Sequence, residues 1–221
     1  VSEWITKETG KVDLLWPNWV GYLRQEGRSE FIAQGTLINK HSIGQTIGHA
    51  RLHGPVVASG VRRIFNFALE DQNYVEHGGR YTRSVEPERR ATLNILETAN
   101  DDDRVNGILF STDAEDIDAL AEREYGYDLL PVQYEMSGAK SIAYMFVART
   151  ESQTIGHRVL SDILPNESSL SICLTGAATY GAAFLETWIE SCLLADKSPL
   201  IQDPYYAALI DKTLRTFDLQ E

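Results

Sequence analysis

The chain has 221 residues, enough for one domain with a sizeable buried core. Hydrophobic residues make up 43% and charged residues 24%, a balance that excludes a disordered or fibrous chain. A net charge of −12 argues against a general nucleic-acid binder or a protein held to anionic membranes.

Residues 1–29 read as an N-terminal extension. Pro17 suits the first turn of a short helix over 17–26 that Gly27 ends, with Trp16, Trp19 and Tyr22 as an aromatic face. Glu30–Ala33 reads as a strand that runs into Gln34-Gly35-Thr36-Leu37. Segments 56–61 and 63–67 read as another strand or a bent pair. Residues 71–90, with Gly78-Gly79 and four arginines, read as an exposed loop. Strand character returns at 91–96 and 105–110.

Between these lies Asp101-Asp102-Asp103, read as a solvated turn because three adjacent acids lack the alternating spacing of a calcium loop. It opens the most acidic stretch, since residues 101–130 hold ten acids against two arginines, a net of −8. A helix is expected over 113–124, opened by Thr112 and Glu115 in capping spacing. Strands follow near 130–134 and at 141–147. Beyond Pro165-Asn166 the pattern turns helical: 171–180, then 182–194 after Gly181, then about 204–217. Cys173 and Cys192 sit in apolar surroundings as core thiols, too few for a disulfide framework or a metal cluster.

Strands fill the middle and helices the end without regular βαβ alternation, so the class is α+β. The chain divides as one domain with an N-terminal extension (1–29), a core (30–150) and a helical C-terminal extension (151–221). No basic-plus-apolar leader and no apolar run near twenty residues occur, so a cytoplasmic protein without membrane partners is expected.

Glu124 carries the chemistry. Ile117, Leu120 and Ala121 fall on one helical face, and the next position on that stripe is Glu124. Burial and the negative end of the helix dipole both raise a carboxyl pKa there, which makes a base that works near neutral pH. The plainer reading is a glutamate at a frayed helix end, reaching water or paired with an arginine. Gly35, Thr36 and Leu37 present backbone N–H groups with little cover, able to hold an oxyanion. Other chemistries lack their motifs: there is no G-x-S-x-G, no Gly-Lys-Ser/Thr, no G-x-G-x-x-G, and no H-E-x-x-H among five histidines. A lone inward Glu beside a loop of donors suits proton transfer coupled to attack on a carbonyl.

The order of these pieces resembles the γ-glutamylcyclotransferase-like family. Gln34-Gly35-Thr36-Leu37 is similar to its Tyr-Gly-Ser-Leu loop, and Val61-Arg-Arg-Ile-Phe-Asn66 to its following arginine/aromatic strand. Asn106-Gly-Ile-Leu-Phe110, Leu120-Ala-Glu-Arg-Glu124, Tyr127 and Pro131-Val132 resemble the family's run around its catalytic glutamate. Segments Cys173–Ala177, Gly181, Phe184 and Leu194–Asp196 resemble a C-terminal helical extension of some members. The resemblance implies a small mixed β-barrel flanked by helices, no cofactor or metal, and a small-molecule γ-glutamyl substrate. It implies cyclisation of the γ-glutamyl group to 5-oxoproline, with Glu124 as general acid/base. Gln34, Gly35, Thr36 and Leu37 would hold the substrate, Arg62 or Arg63 its carboxylate, and Tyr125 and Tyr127 would line the pocket. Gln34 stands where the family has Tyr, and Thr36 where it has Ser. The alternative is a non-catalytic member of the same fold that binds a small ligand or a protein.

Overall fold

The computed structural model describes residues 14–26, 28–69, 89–149 and 157–216, so the expected loop at 71–90 lies almost wholly outside the described residues. The strands are β1 (Arg28–Ala33), β2 (Arg51–Ser59), β3 (Val61–Leu69), β4 (Thr92–Glu97), β5 (Arg104–Asp113), β6 (Asp128–Met136), β7 (Ala139–Val147), β8 (His157–Val159) and β9 (Cys192–Leu194). The helices are α1 (Asn18–Glu26), α2 (Lys40–Gly44), α3 (Ile117–Arg123), α4 (Glu167–Ala178), α5 (Ala182–Glu190) and α6 (Pro204–Thr216).

Five strands close a barrel in the order β1-β5-β2-β6-β7, with β7 returning to β1 in parallel through Phe31 and Tyr144. Period-two alternation decides what fills it. Ile32 and Leu109 face each other in register, as do Leu130 and Met145, and Val132 and Ala143. With Val56, Ala58 and Val105 these side chains form one buried cluster. The residues between them, Phe31, Phe110 and Phe146, point outward and join a second cluster with Trp19, Trp188 and Leu174. All three C-terminal helices contribute to that outer cluster, which covers the barrel wall. Among the described residues no helix is long and apolar enough to cross a membrane.

The second sheet has β3 at its centre, antiparallel to β4 on one edge. Its other edge is shared by β9, which runs parallel to Arg63–Phe65, and β8, antiparallel to Phe67–Leu69. The sequence reading takes Cys192–Leu194 as the end of a helix. In the structure α5 stops at Glu190 and the next three apolar residues pair with β3, because a buried strand edge must find backbone partners.

A second correction concerns the helix expected over 113–124. Thr112 pairs with Ser29 in the barrel ladder, so it remains in β5 and cannot cap a helix. A 3-10 turn over Ala114–Asp116 intervenes, and α3 covers only Ile117–Arg123. The inward stripe is nevertheless as read, with Ile117, Leu120 and Ala121 all buried.

Candidate active site

The segment after β1 turns at once into a 3-10 helix, Thr36–Ile38, closed by Ile38 N–H donating to the Gly35 carbonyl at 3.0 Å. The N–H groups of Thr36 and Leu37 open this turn and precede any carbonyl of the turn that could take them. Two elements hold it from behind. Asn39 caps α2 by accepting from the N–H groups of His41 and Ser42, and Gly176 of α4 lies against Ile38 and Asn39. A Cβ at Gly176 would stand 2.6 Å from Ile38 Cγ2 and 2.8 Å from Asn39 N, so the turn can approach α4 only over a glycine. In front, Gly35 faces Leu93 of β4, whose carbonyl accepts from the Tyr127 hydroxyl at 2.9 Å.

Glu124 follows α3 as its C-cap, with its N–H donating to the Leu120 carbonyl at 2.9 Å. Its side chain is 14% exposed. Burial pushes its pKa above the ordinary carboxyl value, and the neighbouring Arg123 opposes that rise. Arg123 is the residue of this cluster that the sequence reading did not single out. Its Nε donates to Glu124 Oε1 at 3.2 Å. Nη1 reaches the Ser42 carbonyl and Thr46 Oγ1, and Nη2 reaches Thr36 Oγ1 at 3.1 Å and Ser42 Oγ at 2.8 Å. One planar fork thereby ties the carboxylate to the Gly35–Leu37 turn and to α2. The glutamate is paired with an arginine, as the plainer reading has it. That pair is not at the surface, since the Arg123 side chain is only 13% exposed. The available signal was a cation next to an inward acid, flanked by hydroxyl residues at Thr36, Ser42 and Thr46, which only the fold brings together.

The two arginines of β3 separate. β3 belongs to the second sheet, so neither faces the barrel interior through strand alternation. Arg63 is completely buried. Its Nε donates to the Gln34 carbonyl at 3.3 Å, Nη1 to Asn106 Oδ1 and Ser191 Oγ, and Nη2 to the Asn106 carbonyl. The guanidinium also lies 5.2 Å from the Trp188 ring centroid, and the Trp188 indole N–H donates to the same Gln34 carbonyl. These partners are all neutral, and burial lowers the Arg63 pKa to about 10. Arg63 therefore fixes the entry to the Gly35 turn from inside the core. Arg62, partly exposed, alternates to the opposite face of β3.

Tyr125 and Tyr127 frame the turn that follows Glu124. The Tyr127 ring packs 4.6 Å from Phe67, between the barrel and the second sheet. Tyr125 meets Trp16 edge-on at 5.1 Å. The N-terminal extension thus grips this turn: Trp16 N–H donates to Asp128 Oδ1 at 2.8 Å, and Trp19 Nε1 to the Tyr127 carbonyl at 2.9 Å. Asn66 lies apart, its Oδ1 accepting from Asn94, whose amide group also pairs with the Ala148 backbone at the end of β7.

The closed mixed barrel with its flanking helices has the γ-glutamylcyclotransferase-like fold. A γ-glutamyl cyclotransferase structure matches with a TM-score of 0.53 at 12% identity, over 84% of this chain and 99% of that one. An uncharacterized protein from Homo sapiens matches at 0.52 and 13% identity, over 84% and 99%. YkqA from Bacillus subtilis matches at 0.52 and 15% identity, over 76% of this chain and 56% of that one. No family model and no curated protein matches the sequence. At these identities the likeness is one of fold.

Proposed function

We propose that the protein is a γ-glutamyl cyclotransferase-type enzyme that releases 5-oxoproline and an amine or amino acid from a γ-glutamyl substrate. The observation that supports this reading is the link from Glu124 through Arg123 to the hydroxyl of Thr36, which ties a largely buried carboxylate to the turn that Gly35 opens. The substrate's own α-amine is the nucleophile, so no serine or cysteine is required. Glu124 takes a proton from the α-ammonium, and the freed amine attacks the γ-carbonyl carbon to close a five-membered ring. The N–H groups of Thr36 and Leu37 hold the carbonyl oxygen as negative charge develops on it. The C–N bond to the leaving group breaks as Glu124 returns the proton to that nitrogen, while the ring nitrogen, left with two hydrogens and a positive charge by the attack, loses its extra proton to water. Holding the substrate folded toward the ring supplies a large share of the acceleration.

Each neighbour has a part. Arg123 keeps one carboxylate oxygen engaged and leaves the other for the substrate. Arg63 acts at one remove, by fixing the Gln34 carbonyl. Tyr127 forms the wall opposite the turn with its hydroxyl anchored on Leu93, and Tyr125 closes the rim against Trp16.

The deciding experiment is 5-oxoproline release from a panel of γ-glutamyl amines and dipeptides, with Glu124→Gln alongside. Release by the wild type that disappears in a folded Gln variant is expected. A folded wild type inactive on every substrate would favour the second reading, a ligand-binding module of the same fold, which Gln34 in place of the family Tyr keeps in view.

A further inference from the structure

Arg123 donates to the hydroxyl oxygens of Thr36, Ser42 and Thr46, but only Thr36 shares an edge of the fork with Glu124. Ser42 takes hydrogens from both Nη1 and Nη2, so it lies with Thr46 at the far end of the guanidinium. The Nη2 hydrogen left for Thr36 is the one parallel to Nε–H, and Nε–H goes to Glu124 Oε1. The planar group therefore holds the Glu124 carboxyl and the Thr36 hydroxyl side by side. Thr36 is partly exposed, with Leu37 and Ile38 buried behind it. Among the described residues none accepts its hydroxyl hydrogen.

Resting on the cyclotransferase reading above, we propose that Thr36 is a second proton-carrying catalytic residue, which delivers the proton of Glu124 to the leaving nitrogen. Ring closure puts two nitrogens on one tetrahedral carbon, about 2.4 Å apart for single C–N bonds. The two nitrogens on the fork edge are about 2.3 Å apart, so their parallel N–H bonds set two acceptors at close to that spacing. The carboxyl, tied at Oε1, serves the α-nitrogen, and the hydroxyl beside it serves the nitrogen that leaves. The Thr36 O–H gives its hydrogen to the leaving nitrogen as the C–N bond breaks, with the electron pair staying on that nitrogen. In the same event the Glu124 carboxyl reprotonates Thr36 Oγ1 and returns to carboxylate. A hydroxyl offers one donor and two acceptor positions, which the leaving nitrogen, Arg123 and Glu124 fill. Accepting from a guanidinium also strengthens the O–H as a donor.

The test compares Thr36→Val, Thr36→Ala and Thr36→Ser on a γ-glutamyl alkylamide and on γ-glutamyl p-nitroanilide, whose leaving group departs with little help from a proton. Loss of the hydroxyl lowers kcat/KM about a hundredfold or more on the alkylamide and less than about fivefold on the nitroanilide, and Ser keeps most of the activity. Equal losses on both substrates would show that the hydroxyl acts only by holding Arg123, and would overturn the proposal. So would an undiminished Val or Ala variant, or a Ser variant as damaged as Val. The wild type supplies a measurement that needs no variant. Its alkylamide rate, plotted against the fraction of D2O, bows downward when two protons move together, and a straight line would overturn the proposal. A wild type inactive on every substrate would defeat the cyclotransferase reading and this proposal with it. An active wild type with a straight isotope plot would defeat this proposal alone.

Discussion

Replacing Arg123 by Met tests the site most sharply, because the change strands a known set of acceptors, one of them the Glu124 carboxyl. Five hydrogen bonds go at once: one to Glu124, two to Ser42, and one each to Thr36 and Thr46. Removing one partner of a buried pair costs about 3–5 kcal/mol. The side chains here are 13% and 14% exposed, which lets some water in, so the lower end, about 3 kcal/mol, applies. For a chain of this size that lowers Tm by roughly 6–12 °C. The loss depends on pH. Glu124 has a folded-state pKa above the ordinary 4.5, so the folded form binds the proton more tightly than the unfolded form. Its contribution to stability is therefore fully present below the unfolded value and lost as pH rises through the folded one. Without Arg123 the folded pKa rises further, and the variant falls increasingly below the wild type as pH increases from the ordinary carboxyl range. Urea unfolding at pH 5 and pH 8 should give the larger difference at pH 8, and adding Glu124→Gln should return much of it. A difference independent of pH, or no recovery in the double variant, would refute the view that Arg123 acts on the Glu124 charge.

Other perturbations separate the supports of the site. Arg63→Ala should cost about 1–3 kcal/mol or more in chemical denaturation, since it leaves Asn106, Ser191 and the Gln34 carbonyl without their shared donor. Arg62→Ala, on the opposite face of β3, should stay within about 0.5 kcal/mol of wild type in the same assay. Gly176→Ala should destabilise by about 1–3 kcal/mol through overpacking against Ile38 and Asn39, read as a lower urea midpoint. Trp16→Ala removes the ring that meets Tyr125 and Trp19, so hydrogen exchange at the 124–128 amides should accelerate at least tenfold while the barrel strands stay protected.

What the sequence alone determined was local and periodic. The strands announced themselves by apolar alternation, and the Ile117–Leu120–Ala121 stripe placed Glu124 inward, because side-chain direction follows from backbone period. The aromatic N-terminal helix was legible for the same reason. Where local signals misled, longer-range pairing had overridden them: Thr112 reads as a cap but is held in β5 opposite Ser29, and Cys192–Leu194 reads as helix but completes the edge of β3. The tertiary structure alone decided the environment of each candidate. Thr36, Ser42 and Thr46 lie about eighty residues from Arg123 and become its acceptors only when β1 closes onto β5. Arg62 and Arg63 are neighbours in sequence, yet one is partly exposed and the other buried beneath Trp188. Periodicity fixes which way a side chain points; what it meets depends on contacts between distant segments, which no local pattern encodes.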